Sequence, residues 1–391
     1  MFKMINKIQY YDWGSRYVLT ELYNIKNTRN LPMAELWMGA HPKASSTVKD
    51  LNTKKKISLD KLIEADLAYF LGEKIAKKFH KLPFLFKVLC VEKPLSIQVH
   101  PDKIAAESGF RRENASNILL NSPNRNYKDD NHKPELIYAL TTFKALNSFR
   151  PLNEIVNLLI PISDASIIIQ LFLKNPTETQ LAQLFSHLLS LTIIEKQSLL
   201  TSLKYVLKQE KGEPWDTIKN ILQLYPNDSG LFAPLLMHII KLQPGEAMFV
   251  CSRTPHAYIE GVGLEVMANS DNVIRAGLTN KNIDIAELLD NLDFVSKLYN
   301  TLLIQPNICN NKLNYLVPVD DFAFSLYLVD NQLNIIENSS ATILFCLKGK
   351  ISITSDNKTI EILPGESIFI SASEKQIILN GKGKLARVFN Y

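Results

Sequence analysis

Judged by the spacing of its apolar positions, the chain falls into three stretches with different periods. Up to about residue 50, short β-like runs alternate with turn residues: Tyr11-Asp12-Trp13-Gly14-Ser15 reads as a turn, and Ala34-Glu35-Leu36-Trp37-Met38-Gly39 as a strand ending in glycine. Lys54-Lys55-Lys56 reads as a solvated edge. Residues 58–80 then suit a helix capped by Ser58, with Leu59, Leu62, Ile63 and Leu67 on one face. An apolar run from Leu82 breaks at Lys93-Pro94 and gives way to Leu95-Ser96-Ile97-Gln98-Val99-His100-Pro101. Alternate side chains of an extended strand share a face, so Ser96, Gln98 and His100 point one way and Ile97 and Val99 the other. A strand buried on both faces normally reads as continuous Val, Ile and Leu; this one carries a hydroxyl, an amide and an imidazole in a row. A helix is expected to start at Asp102 after Pro101. The polar stretch Asn114–Asp130 reads as a mobile loop and a candidate lid. It leads into Asn131-His132-Lys133-Pro134-Glu135-Leu136, which re-enters an apolar strand.

From about residue 151 the period becomes helical. Leu181, Leu184, Phe185, Leu188 and Leu189 keep the i, i+3, i+4, i+7, i+8 rule, Leu199, Leu200, Leu203 and Leu207 repeat it, and Ile218, Ile221 and Leu222 form a third stripe. Residues 151–230 therefore read as an all-helical insertion. The β pattern returns after Gly230. The phrase Leu242-Gln243-Pro244-Gly245-Glu246 recurs as Ile362-Leu363-Pro364-Gly365-Glu366, in each case followed by an apolar run. Proline sets φ and glycine takes the strained position, so both are strand-joining turns. Two copies imply two barrels of related design. Residues 1–150 with 231–295 form the first, and 296–391 the second, with runs at Ala341–Leu347, Lys350–Thr354 and Gln376–Leu379. Its turns are read at Lys348-Gly349-Lys350 and Ser355-Asp356-Asn357. The second barrel has no histidine, so a metal of the same kind is not expected there.

Composition narrows the class. Hydrophobic residues at 46% and charged residues at 21% describe a folded globular chain. A net charge of +5, without a long Lys/Arg run, gives no footprint for nucleic acid but tolerates a small anionic ligand. Cys90, Cys251, Cys309 and Cys346 lie far apart in or near apolar runs, and read as buried free thiols of a reducing compartment. The N-terminal MFKMINKIQYYDW has no apolar signal region and no apolar run spans a bilayer, so a cytoplasmic protein is expected. Nothing resembles a coiled-coil seam, and a monomer is the default.

The chemistry gathers at the histidines. His80, His187 and His238 sit in structural contexts, and His41 is left undecided. His100, His132 and His256 each lie beside a proline in a polar turn or strand end. Gln98 and His100 share a strand face, Glu135 opens the strand after the polar loop, and His256 follows the first Pro-Gly-Glu turn. Two imidazoles, a carboxylate and an amide oxygen suit zinc with one open position; the same set leaves Fe(II) and Mn²⁺ as alternatives.

The strings LSIQVHPDK, NHKPEL, PGEAMFV, TPHAY and LEVMANSDNVIRAGLTNK, with YDWGS and AELWMGAHPKASS before them, resemble those of type I mannose-6-phosphate isomerases. These are zinc enzymes of two cupin (jelly-roll) barrels with a helical insert. The likeness covers nearly all of the first 290 residues in order, and is weaker over the C-terminal barrel. It varies at Ala276 and Asn280. It implies Gln98, His100, Glu135 and His256 as the ligands of one Zn²⁺, Arg275 as the active-site arginine, and Lys281 at the substrate phosphate. Ser96, Lys87, Lys133, Glu265 and Asp271 fall on pocket positions. The implied reaction interconverts mannose 6-phosphate and fructose 6-phosphate by moving a proton between C1 and C2 through an enediol. That reaction needs an electrophile for the developing oxyanion and a base for the proton. Zinc suits the first role, Arg275 and Lys281 or Lys87 the anionic groups, and Lys133, His132, Glu265 or Asp271 the base. A non-catalytic sugar-phosphate-binding cupin and an Fe(II) cupin oxygenase are the competing readings. The first would need a degraded metal set, and Gln98 as a fourth ligand counts against the second.

Overall fold

Strands dominate both ends of the chain. In the computed structural model, which describes residues 1–49, 55–331 and 334–391, they build two antiparallel sheets of eleven strands each among the described residues. The first thirteen strands are β1 (Phe2–Ile5), β2 (Lys7–Gln9), β3 (Glu35–Gly39), β4 (Thr47–Lys49), β5 (Lys56–Ser58), β6 (Phe84–Val91), β7 (Ile97–Val99), β8 (Glu135–Ala139), β9 (Phe143–Phe149), β10 (Met237–Leu242), β11 (Ala247–Val250), β12 (His256–Ala268) and β13 (Ile274–Gly277).

The long strand β12 organises the first barrel. Its start, His256–Tyr258, pairs with β7 and β9, and from Gly261 onward it pairs with β6 and β8. A register shift between Tyr258 and Glu260 and a φ of 120° at Gly261 let the strand bend from one layer into the other. A Cβ at Gly261 would lie 2.5 Å from the Thr142 carbonyl oxygen, so only glycine fits. One strand thus carries side chains to both walls of the barrel.

The second sheet holds the strands from Asn307 onward together with β1, β4 and β5, while Leu303–Ile304 pairs with β11 of the first. Phe2 and Lys3 of β1 pair with Phe369 and Ile368. The two barrels also share a core in which Phe86 of β6 packs its ring 6.5 Å from Phe324 and 6.1 Å from Phe345. The two Pro-Gly-Glu turns are the same structure twice. Gly245 and Gly365 have φ of 102° and 87°, and Glu246 and Glu366 accept at 2.8 and 3.0 Å from the backbone N–H three residues back, at Gln243 and Leu363. Proline before a positive-φ glycine is what such a turn requires.

Between β9 and β10 the chain is helical from Leu152 to Leu236 apart from short connections. The three leucine-rich stripes form helices Glu178–Leu189, Ile193–Gln209 and Trp215–Leu224, the middle one opened by a Thr192–Glu195 capping box. Leu181, Leu184, Leu199, Leu203, Ile218 and Ile221 meet in one core with Phe149 of β9 and Ile274 of β13. The insertion is therefore seated on the barrel.

Four expectations change. Residues 58–80 are three short helices, Leu59–Ala65, Leu67–Leu71 and Glu73–Phe79. Asp66 leaves helical geometry to cap the second helix, and Gly72 at φ 86° starts the third. Ser58 occupies the first cap position, but its side chain does not cap the helix backbone. The Asn114–Asp130 stretch is tied down at its C-terminal part: Arg125 donates to the carbonyls of Tyr127 and Ile118, and the Tyr127 hydroxyl is held by Glu287 and Asn291. Lys348-Gly349-Lys350 is no turn but a bulged bend inside strand Thr342–Ser355, whereas Asp356 and Asn357, both at positive φ, do turn the chain. Cys251 and Cys309 are exposed, while Cys90 and Cys346 are buried as expected. Lys54 lies outside the described residues, and Lys56 is exposed on β5.

Candidate metal centre and active site

β7 is only three residues long, but it lies between β12 and β13. Gln98 pairs with His256 on one side and Arg275 on the other. Cross-strand partners present their side chains on the same face. This places an amide between an imidazole and a guanidinium, with His100 following just beyond the end of the strand. The hydroxyl of Ser96 precedes it, half-buried. Glu135 arrives from the first residue of β8, opposite Met267 of β12.

His100, Glu135 and His256 converge, with ligand atoms within 4.8 Å of one another and all three residues buried. His100 Nδ1 lies 2.7 Å from the Asn272 carbonyl oxygen, and His256 Nδ1 lies 3.0 Å from that of Thr254. A carbonyl only accepts, so each Nδ1 carries the proton and each Nε2 presents a lone pair. Those lone pairs face Glu135, with His100 Nε2 3.1 Å from Oε1 and His256 Nε2 3.5 Å from Oε2. His100 Nε2 is buried and, among the described residues, has no hydrogen-bond partner. Lone pairs turned on a carboxylate repel unless a cation sits among them, and two neutral imidazoles with one carboxylate form a zinc-type donor set.

The charges agree with this arrangement. Burial, reinforced by Lys133, lowers the His100 imidazole to about 3 against the pull of Glu135, and burial also lowers His256. Both rings are neutral, the ligand form, at ordinary pH. Burial alone would raise the Glu135 carboxyl, but Lys133 and His100 outweigh it and hold the group well below the usual range. Lys133 Nζ stands 3.1 Å from Glu135 Oε1. On the other side the Tyr258 hydroxyl donates to Glu135 Oε2 at 2.5 Å.

A second buried group lines the same barrel. Lys87 on β6 lies opposite Glu265 of β12 and Trp37 of β3. Its Nζ is 2.7 Å from Glu265 and 3.7 Å from Glu35, and 5.4 Å from the Trp37 ring centre. Burial opposes the ammonium, but Glu265 and Glu35 together raise it. Burial lifts Glu265 to about 7 although Lys87 pulls it down. The remaining sequence candidates make their contacts at the rim. Asp271 pairs with Lys43 at 2.9 Å and His41 at 3.5 Å. His132 meets Asp321 of the C-terminal barrel at 2.9 Å. Arg275 is half-buried and, among the described residues, has no carboxylate partner; Lys281 is exposed and close enough for Arg275 to lower its ammonium. Two cations without a counter-charge suit an anionic ligand.

Sequence reasoning missed Glu35, Asn272 and Tyr258. The signal for Tyr258 was available: it lies two residues after His256 in a strand, and so on the same face. Glu35 and Trp37 likewise alternate along β3.

Comparison with known proteins agrees with this geometry. Residues 1–152 match the family model of the phosphomannose isomerase type I catalytic domain, 158–237 that of its helical insertion domain, and 311–390 that of the mannose-6-phosphate isomerase cupin domain. The chain is 52% identical to the mannose-6-phosphate isomerase of Escherichia coli over 390 residues, with 100% of both chains covered. It is 34% identical to that of Rattus norvegicus, over 97% of this chain and 95% of the relative. Among solved structures, mannose 6-phosphate isomerase from Salmonella typhimurium bound to its substrate, fructose 6-phosphate, and to zinc superposes with a TM-score of 0.96 at 51% identity, covering 100% of this chain and 99% of that one.

Proposed function

The chain belongs to the type I phosphomannose isomerases, and from that premise we propose how its own residues carry the reaction. The enzyme is a zinc-dependent aldose–ketose isomerase interconverting mannose 6-phosphate and fructose 6-phosphate. His100 Nε2, His256 Nε2 and a Glu135 carboxylate oxygen, together with Gln98 beside them in the register, would hold its zinc. The observation that carries this reading is the buried, unpartnered His100 Nε2 turned toward Glu135. When bound, zinc supplies an electrophile that polarises the sugar oxygens and stabilises the developing oxyanion without redox change.

The remaining roles follow from placement. Arg275, beside Gln98 in the register, offers a fork of donors to anionic oxygen. Lys281 adds a point charge for the phosphate next to it. Ser96, just before β7, and His132, at the rim, bind sugar hydroxyls. Among the four base candidates, Lys133 touches a metal ligand. Glu265 is sealed against Lys87, and Asp271 and His132 are held in pairs at the rim. Lys133 is therefore the base: as the neutral amine its Nζ takes the proton from C1 or C2, and as the resulting ammonium it returns that proton to the other carbon, while Lys87, Glu265 and Asp271 set the field around it.

Residues 1–150 with 231–295 act as the catalytic barrel, 151–230 as its insertion and 296–391 as the second barrel. The enzyme works as a monomer in the cytoplasm, away from nucleic acid and membrane. Four unpaired thiols support a reducing compartment, and among the described residues no helix is long and apolar enough to cross a membrane. Lys133→Met tests the base: measured at saturating zinc, kcat should fall by roughly 10²–10⁴-fold. Parent-like kcat at full zinc occupancy would move the role to another residue.

A further inference from the structure

The Tyr258 hydroxyl is a buried donor aimed at a metal ligand. Tyr258 is 5% exposed and Glu135 2% exposed, and the hydroxyl lies 2.5 Å from Glu135 Oε2. In this contact the Tyr258 hydroxyl is the donor and Glu135 Oε2 the acceptor. The phenol ring has little freedom to turn away. It packs edge-on against Phe143, on the paired strand β9, at 5.6 Å, and lies 5.8 Å from the ring of His256, two residues back on its own strand. On the opposite side of the same carboxylate, Lys133 Nζ meets Oε1. Glu135 is thus clamped at both oxygens, by an ammonium on a loop and by a hydroxyl on the rigid strand β12.

We propose that Tyr258 is a positioning residue that fixes the rotation of the Glu135 carboxylate and thereby sets the affinity of the centre for zinc. The inference rests on the zinc reading of His100, Glu135 and His256. Ligating side chains are held by outer hydrogen bonds, whose loss typically costs 10–100-fold in metal affinity. Both imidazoles have theirs from backbone carbonyls, at Asn272 and Thr254. Among the described residues Glu135 has no backbone partner for Oε2, and the Tyr258 hydroxyl supplies that bond. The register also explains why a tyrosine stands there: two residues past His256 on one strand face, its ring spans the distance to the start of β8.

The test is zinc titration of the full chain by chelator competition, with cobalt absorption as a second readout. In Tyr258→Phe the ring stays and only the hydroxyl is lost. Its zinc Kd should rise roughly 10–100-fold, the d–d bands of the cobalt form should shift, and kcat should return toward the parent's at saturating zinc. A zinc Kd within twofold of the parent with unchanged cobalt bands would overturn the proposal. A kcat that stays low at full occupancy would overturn it in favour of direct contact with substrate. If the parent itself bound no zinc, the metal reading would fail first, which keeps the two failures apart. Should the variant not fold, a zinc-loaded crystal structure of the parent decides: Tyr258 Oη within hydrogen-bond reach of Glu135 supports the role, and a hydroxyl turned elsewhere removes it.

Discussion

His41 shows how burial and charge compete at a single residue. It is 4% exposed, stacked edge-on against Trp37 and 3.5 Å from Asp271, yet burial wins over the carboxylate and lowers the imidazole from 6.5 to about 4. Between those values the unfolded chain binds a proton that the folded chain does not, so stability is full above about pH 6.5 and falls as pH drops toward 4. Asp271 is itself lowered by His41 and Lys43 against its burial, so its contribution is also lost on acidification. His41→Gln should flatten the fall across that window by up to about 3 kcal/mol, measured as urea midpoints from pH 7 to 4; parallel curves for parent and variant would contradict it. The four proposed zinc ligands were legible in the sequence because Gln98 and His100 lie two apart on a strand and the other two open strands beside prolines. The residues that hold them were not, because Asn272, Thr254 and Tyr258 act through contacts that only the folded register creates.

At the scale of elements, local pattern identified the helical insertion and several strands, among them β3, β6, β7 and β8, and it failed where a single residue interrupts a period. Asp66 and Gly72 split one apparent helix into three, and the Gly349 bend turned one strand into an apparent hairpin. The polar loop before Glu135 looked mobile because composition does not reveal that Arg125 and Tyr127 are buried. The Tyr11–Ser15 turn was read correctly, and the structure supplies its purpose. Gly14 bridges to Val91, and the Trp13 carbonyl accepts from Glu92 and Lys93, which fixes the end of β6 just before the β7 stretch. A Cβ at Gly14 would sit 2.3 Å from the Ala34 Cα. Gly14→Ala should therefore cost about 1–3 kcal/mol through overpacking, read from urea unfolding, and an unchanged midpoint would show that the turn can yield.

Across the whole molecule, the pairing of β1 with Phe369 and Ile368, the shared Phe86–Phe324–Phe345 core and the His132–Asp321 contact join the two barrels into one support for the site. That arrangement was out of reach of pattern reading, since a strand's partners lie hundreds of residues away in the chain. The centre it supports combines neutral imidazoles, an ionised carboxylate and an unpartnered buried nitrogen, and its purpose depends on one cation. The most direct measurement is zinc content and mannose 6-phosphate isomerisation followed together while a chelated sample is titrated with zinc, for the parent and for a His100→Ala, His256→Ala double variant. The parent should lose activity on chelation and regain it in proportion to zinc, levelling at one ion per chain, while the double variant takes up no zinc and stays inactive. Near-parent turnover in the double variant would contradict the account.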